Sequence, residues 1–119
     1  MKFGYKVMTD QQGRIEFKHR PGGKKHFHLA IFVHEPDDIL DTIRMVEYKL
    51  HETFTQPVRQ NDDRESAFTE DFYTWGIFTV FVTVLFKDGR MEKFRFPLDY
   101  ELPPDLGLNY VQVPVEDKE

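Results

Sequence analysis

Apolar and polar residues alternate over most of the chain, and alternation with a period of two is typical of β-strands. Early in the sequence this pattern covers residues 3–7, 15–17 and 26–34. Turn-forming residues at 10–13 predict a hairpin between the first two of these strands. Pro21 and Gly22 then break the chain before the third.

The clearest strand pattern runs over residues 77–86. Apolar side chains fall on both of its faces, with Phe78 on one and Phe81 on the other, which predicts a central strand. Asp88 and Gly89 predict a two-residue hairpin turn, because such turns need residues with positive φ. Alternation then continues at 92–98 and again at 110–115.

Residues 37–51 carry two competing patterns. Apolar residues spaced by four, three and four positions indicate one face of an amphipathic helix; they are Ile39, Ile43, Val46 and Leu50. Tyr48, however, alternates with Val46 and Leu50 as in a half-buried strand. Periodicity alone favours the helix. The polar residues 55–66 predict an exposed loop, and a further strand is expected around residues 67–72.

About seven or eight short strands separated by turns predict an all-β protein built as a β-sandwich. The 119 residues, 39% of them apolar, suffice for a single domain over 1–119 with one hydrophobic core. Twelve Phe and five Tyr agree with this interpretation, since flat aromatic side chains pack well on a pleated surface.

Charge and cysteine content exclude several classes of function. A formal net charge of -5 argues against nucleic acid as the partner, which requires a basic face. Basic residues do cluster at 19–26, as a solvated turn or as a contact patch for an acidic partner. No apolar run is long enough to span a membrane, and the chain starts without a signal-peptide pattern. With no cysteine, thiolate chemistry is excluded, and a cytoplasmic protein is expected.

Few residues are spaced as catalytic groups or metal ligands. His26 and His28 fall on one face of a predicted strand and would need a third converging ligand to hold a metal. Ser66 lies in a polar stretch without a glycine elbow, and no glycine-rich phosphate loop is present. No cofactor and no metal are expected, and a histidine-ligated metal enzyme is the weakest of the candidate functions.

Two motifs in fixed order are more specific. Residues 46–54 read VEYKLHETF, and after a polar loop containing Pro57 residues 74–78 read TWGIF and lead into the long strand. This arrangement resembles the YEATS domain family, in which a strand ends in Leu-His-x-Ser/Thr-Phe and a Gly-Trp-Gly-x-Phe loop precedes another strand. The resemblance covers about residues 45–102. It implies an immunoglobulin-like β-sandwich, with a strand over 45–51 and one helical turn at 37–41.

The resemblance also implies a binding site for acylated lysine, formed by His51, Thr53, Phe54, Thr74, Trp75, Gly76 and Phe78. The Thr53 hydroxyl would meet the acyl amide, and the rings of Trp75 and Phe54 would sandwich it. The Trp75 backbone N–H would donate to the acyl carbonyl. Gly76 would permit the turn and a close approach of the ligand. Phe78 would lie at the base of the site.

This sequence departs from the family pattern at two positions. Thr74 stands where the family has the first glycine of the loop, and its Cβ is expected to reshape the loop or narrow the entrance. The aromatic residue that family members often carry before the third strand has no clear equivalent here, and Lys25, His26 and Phe27 are the candidate positions.

The implied function is a non-enzymatic binding module for an acylated-lysine protein or peptide, of the prokaryotic type associated with signalling or defence domains. The alternative is an immunoglobulin-like protein interaction domain that binds through loops or an edge strand and has no acyl-lysine site. Neither function involves nucleic acid or a membrane.

Overall fold

The computed structural model describes residues 1–19 and 23–115. The described residues form nine strands, one helical turn and a 3-10 helix at Arg64–Ser66. In chain order they are β1 (Phe3–Val7), β2 (Ile15–His19), β3 (Lys25–Val33), α1 (Asp37–Leu40), β4 (Ile43–Lys49), β5 (Val58–Asn61), β6 (Glu70–Thr74), β7 (Phe78–Phe86), β8 (Met91–Leu98) and β9 (Tyr110–Gln112). The expected break at Pro21 and Gly22 lies outside the described residues.

The strands form two sheets that pack face to face. Sheet I has the order β1-β3-β2-β9, with β6 paired to the other side of β3, and sheet II has the order β5-β4-β7-β8. The pairings are antiparallel except that of β2 with β9, which is parallel. The chain therefore folds as the predicted immunoglobulin-like β-sandwich.

The core lies between the inward faces of the two sheets. Alternate residues of β3 and β7 belong to the core, as expected when one face of each strand meets it; they include Leu29, Ile31, Val33, Val80, Val82 and Val84. Ala30 of β3 is buried as well. Phe3 of β1 packs against Phe94 and Phe96 of β8, with ring centroids 5.6 and 6.1 Å apart. These contacts join the sheets on the side formed by β1 and β8.

The predicted hairpin of β1 with β2 is largely wrong. A single bridge, between Thr9 just after β1 and Ile15 of β2, is the isolated pairing found there. Otherwise β1 pairs with the second half of β3 and β2 with its first half. The nine-residue β3 is long enough to pair with both short strands along the same edge. The turn at 10–13 therefore connects two strands that lie end to end beside β3, not side by side.

The helix favoured by periodicity at 37–51 is wrong beyond its first turn. The structure has one helical turn, α1, and then the strand β4, as the family resemblance implies. The cause is a register shift in β4 between Ile43 and Met45. This bulge directs both Ile43 and Val46 into the core, and their three-residue separation imitates helical spacing.

Two further segments differ from expectation. The predicted loop 55–66 contains β5, whose polar residues suit an edge strand that packs little into the core. The strand expected around 67–72 begins only at Glu70, because Ala67 and Phe68 have left-handed φ values of 57° and 58°.

The hairpin between β7 and β8 is present, but its loop is longer than predicted. The Phe86 N–H donates to the Arg90 carbonyl at 2.9 Å, so residues 87–89 form the loop. Gly89 has the positive φ (+92°) that was expected. β7 is central in sheet II, as predicted, yet Phe81 on its outer face is 47% exposed. Across the described residues, no helix is long and apolar enough to cross a membrane.

Candidate functional site

A cleft of about 1130 Å³ opens at the end of the sandwich where β4 ends and β7 begins. Its walls come from the segment after β4 and from the short connection between β6 and β7. All seven residues predicted for the site lie around this cleft: His51, Thr53, Phe54, Thr74, Trp75, Gly76 and Phe78. Residues more than twenty positions apart in the sequence are thus brought together.

The segment after β4 fixes His51 and Thr53 against each other. The Thr53 hydroxyl lies 2.8 Å from Nδ1 of His51, and the Thr53 backbone N–H donates to the same nitrogen at 3.2 Å. Nδ1 must therefore be an acceptor, which places the proton of the neutral ring on Nε2. The Thr53 hydroxyl accordingly donates toward His51 and keeps its lone pairs for a donor arriving from the cleft.

Aromatic rings form an apolar wall of the cleft. Phe54 lies 5.5 Å from Phe72 and 5.5 Å from Phe78, measured between ring centroids, and Phe72 lies 5.9 Å from Phe78. Phe72 is buried in the core, whereas Phe54 and Phe78 are half-buried. Phe54 is consequently anchored by packing on one side while part of its surface remains available to the cleft.

Trp75, the only tryptophan of the chain, is 53% exposed and lines the same cleft. The Lys24 ammonium lies 4.1 Å from the centroid of its indole ring, a favourable cation–π distance. Lys24, the residue just before β3, thereby reaches Trp75. A large aromatic face is held at the surface here instead of in the core.

Thr74 and Gly76 shape the loop in a different way from the one expected. The Thr74 hydroxyl donates to the Gly76 carbonyl at 3.0 Å and accepts from the Gly76 N–H at 3.4 Å. Thr74 is buried at the end of β6, so its side chain closes the turn from inside.

The role expected of Gly76 in the turn is wrong. The described glycines with positive φ are Gly13, Gly89 and Gly107, and Gly76 is not among them. The turn closed by the Thr74 hydroxyl leaves Gly76 with a backbone that other residues can adopt. A Cβ built at Gly76 meets nothing within 4 Å, which leaves space for a close approach from the cleft.

Burial raises the pKa of Tyr100 above its ordinary value, and the nearby Thr74 side chain opposes part of that rise. The neutral phenol is therefore favoured beside the buried end of β6.

Several cleft residues were not anticipated from the sequence. Lys18 of β2, His26 of β3 and Tyr73 of β6 line the cleft, as do Arg59 of β5 and Asp71 of β6. Lys18, His26 and Tyr73 become neighbours only through the pairing of β2 and β6 with β3, for which no local motif exists. Arg59 belongs to β5 of sheet II and reaches the cleft from the other sheet, where it donates to the Asp71 carbonyl at 2.8 Å. Of the three positions considered for the missing family aromatic, His26 lines the cleft, whereas Phe27 packs against Phe17 and Tyr110.

A stack of charged and aromatic groups stabilises that side of the cleft. The Lys18 ammonium lies 4.1 Å from the Tyr73 ring centroid, and the Tyr73 ring stacks on His28 at 4.3 Å. His28 in turn contacts Glu16 at 3.1 Å and Asp71 at 2.6 Å. Both ring nitrogens of His28 are thus engaged with carboxylates.

The histidines considered as metal ligands do not converge. His26 Nδ1 lies 2.9 Å from the Lys24 carbonyl, whereas the ring nitrogens of His28 contact Glu16 and Asp71. Over residues 1–19 and 23–115, no group of three or more His, Asp or Glu side chains is placed to hold a metal ion.

Comparison with known proteins identifies the class of this domain. Residues 27–99 match the profile of the prokaryotic YEATS domain. This match covers well over half of the chain, and the chain therefore belongs to the YEATS domain family.

Particular relatives are found among fungal proteins. The chain is 40% identical over 89 residues to the AF-9 homolog of Candida glabrata, covering 71% of this chain and 39% of that protein. It is 42% identical over 72 residues to the AF-9 homolog of Eremothecium gossypii, covering 58% of this chain and 34% of that protein. The chain thus spans less than half the length of these curated relatives.

Solved structures agree with the family assignment. The Yaf9 YEATS domain bound to H3K27ac superimposes with a TM-score of 0.59 at 25% identity, covering 87% of this chain and 70% of that one. The Yaf9 YEATS domain recognising an H3K122suc peptide gives a TM-score of 0.57 at 26% identity, with coverages of 81% and 67%.

Proposed function

We propose that this chain is a single-domain, non-enzymatic reader of acylated lysine on a protein partner. The observation that carries the proposal is the meeting of the Thr53 hydroxyl and the Trp75 and Phe54 rings around one cleft. Two similar structures support it, because their ligands are known: one Yaf9 YEATS domain is bound to H3K27ac, and another recognises an H3K122suc peptide.

The chemistry of the cleft suits a lysine that has lost its charge. Acylation converts the ammonium into a flat, neutral amide with an apolar chain attached. Rings such as Phe54 and Phe78 offer apolar surface to that chain, whereas an unmodified ammonium would lose its hydration on entering the cleft.

The polar ends of the amide also need partners in the cleft. The Thr53 hydroxyl, oriented by His51, has lone pairs to accept the amide N–H. The Trp75 backbone N–H would donate to the acyl carbonyl, next to the open space at Gly76. Each pairing replaces a hydrogen bond with water, so the amide can be buried at little cost.

Calorimetric titration with peptides of one sequence tests the proposal. The peptides carry unmodified, acetylated or crotonylated lysine at the same position, and Trp75→Ala is measured beside the wild-type chain. Trp75 is exposed, so its replacement should leave the fold intact. We expect binding only of acylated peptides, and its loss in Trp75→Ala. Equal binding of the unmodified peptide, or unchanged binding by the variant, would favour an interaction domain without an acyl-lysine site.

A further inference from the structure

The outer face of sheet II carries an exposed aromatic residue at its centre. Phe81 of the central strand β7 is paired with Lys49 of β4 on one side and with Arg95 of β8 on the other. Phe81 is 47% exposed, and both flanking residues are exposed as well. The Arg95 guanidinium lies 5.7 Å from the Phe81 ring centroid. Lys93 is exposed on β8 two residues before Arg95, and hence on the same face. We call Lys49, Phe81, Lys93 and Arg95 the outer patch.

Cations dominate this patch although the chain as a whole is acidic, with a net charge of -5. Among the described residues, Lys49, Lys93 and Arg95 take part in none of the ion pairs, which involve Arg14, His28, Arg59, Arg64 and Arg90. Glu47 is the carboxylate in the adjoining row of β4, where it accepts a hydrogen bond from Gln60. Three cations outside these ion pairs therefore surround an exposed ring, with Glu47 as the carboxylate in the row of Thr83 and Lys93.

The outer patch is continuous with the cleft. Ile77 lines the cleft and is 65% exposed, and it lies two residues before Thr79 on the outer face of β7. From Ile77 to Phe81 the chain advances four residues, or about 13 Å of extended strand. An extended peptide that leaves the cleft over Ile77 would therefore reach Phe81 about four residues from its acyl-lysine.

We propose that the outer patch binds the segment of the ligand that flanks the acyl-lysine, and that this segment is acidic. The inference rests on the function proposed above and adds the class of partner sequence. Carboxylates about four residues from the modified lysine would lie between Lys49 and Arg95, with Phe81 covered by the aliphatic parts of the same segment. A basic segment would be repelled by the same three cations.

Acetyl-lysine peptides that differ only in their flanks test the inference. One series carries Asp and Glu at the third to fifth positions on the amino-terminal side, another on the carboxyl-terminal side, and matched peptides carry Lys there instead. We expect the better acidic peptide to bind about tenfold more tightly than its basic match, and added salt to reduce the ratio because the charges are exposed. Arg95→Glu and Lys49→Glu should remove or reverse this preference.

Lys87→Glu is the matched control, since Lys87 is an exposed lysine in the loop between β7 and β8, beyond the outer patch. It should leave the preference unchanged. Equal affinity for acidic and basic flanks, or an equal effect of Lys87→Glu and Arg95→Glu, would overturn this inference while leaving the acyl-lysine site in place. Failure to distinguish acetylated from unmodified peptides would overturn the proposed function, and this inference with it.

Discussion

The Thr53 hydroxyl lies 2.8 Å from Nδ1 of His51, and the Thr53 backbone N–H donates to that same nitrogen. Two residues of one short segment thereby fix each other: the histidine in one tautomer, and the threonine with its lone pairs available to the cleft. A polar acceptor of defined direction is placed beside aromatic rings before any ligand arrives, which reduces the entropy cost of binding.

Replacing Thr53 by Val should weaken binding of an acetyl-lysine peptide about tenfold, because one hydrogen bond in such a site contributes about 1–1.5 kcal/mol. Valine keeps the shape of the side chain and removes the hydroxyl alone. Thr55→Val is the matched control, since Thr55 also lines the cleft. Calorimetric titration measures both variants. Equal losses in the two would show that the hydroxyl of Thr53 has no special role.

Gly76→Ala should separate binding from folding. The added Cβ meets no protein atom within 4 Å and the backbone φ is not positive, so the free energy of unfolding should change by less than about 0.5 kcal/mol. The methyl group would project into the open space beside Trp75, and peptide affinity should fall. Urea unfolding and calorimetry measure the two effects. An unchanged affinity would mean that the ligand does not pass Gly76.

Tyr48→Phe should destabilise the fold. The buried Tyr48 hydroxyl donates to the Phe68 carbonyl at 2.7 Å and holds a segment in which Ala67 and Phe68 both have left-handed φ. Removing the donor leaves a buried carbonyl unpaired, at a cost of about 1–3 kcal/mol in urea unfolding. In the control Tyr5→Phe, an exposed hydroxyl 3.4 Å from the Glu101 N–H is removed, and little change is expected. Similar losses in both variants would contradict this role of Tyr48.

The same tyrosine predicts how stability depends on alkaline pH. Burial, aided by the charge of Glu70, raises the pKa of Tyr48 well above its ordinary value of 10.0. The unfolded chain thus loses this proton first, so the stabilisation is complete below about pH 10 and declines as the pH rises further. Burial also raises the pKa of Tyr100 and Tyr110, which adds to the decline.

Tyr48→Phe should make the decline shallower by up to about 1.4 kcal/mol per pH unit, the contribution of one proton. Urea unfolding at several pH values between about 8 and 11 measures the slope. Parallel slopes in the variant and the wild-type chain would contradict the assignment to Tyr48.

How much of the fold could be predicted depended on how each strand meets the core. A long apolar run around Phe78 and Val82, with apolar residues on both faces and two Thr on one of them, predicted β7 as a central strand, and the strand does bury one regular face. β4 was obscured by its bulge, which places Ile43 and Val46 on the same side at helical spacing. β5 was missed because an edge strand with few buried residues has no apolar period.

Part of the candidate site could likewise be predicted from the sequence, and part could not. Its two loops each carry a local motif, so His51, Thr53, Phe54 and Trp75 could be proposed from the sequence. Lys18 and Tyr73 join the cleft only through the pairing of distant strands, which no local pattern encodes. Nor did the glycine in TWGIF indicate how the loop turns, since the Thr74 hydroxyl closes it.

Fluorescence of Trp75 tests the central claim most directly, because this residue is the only tryptophan and it lines the cleft at 53% exposure. The chain is titrated with two peptides of identical sequence, one carrying acetyl-lysine and one carrying unmodified lysine. A saturable change in Trp75 emission with the acetylated peptide alone is the predicted result. The same response to both peptides, or none to either across a series of acyl groups, would contradict the assignment of this cleft as an acyl-lysine site.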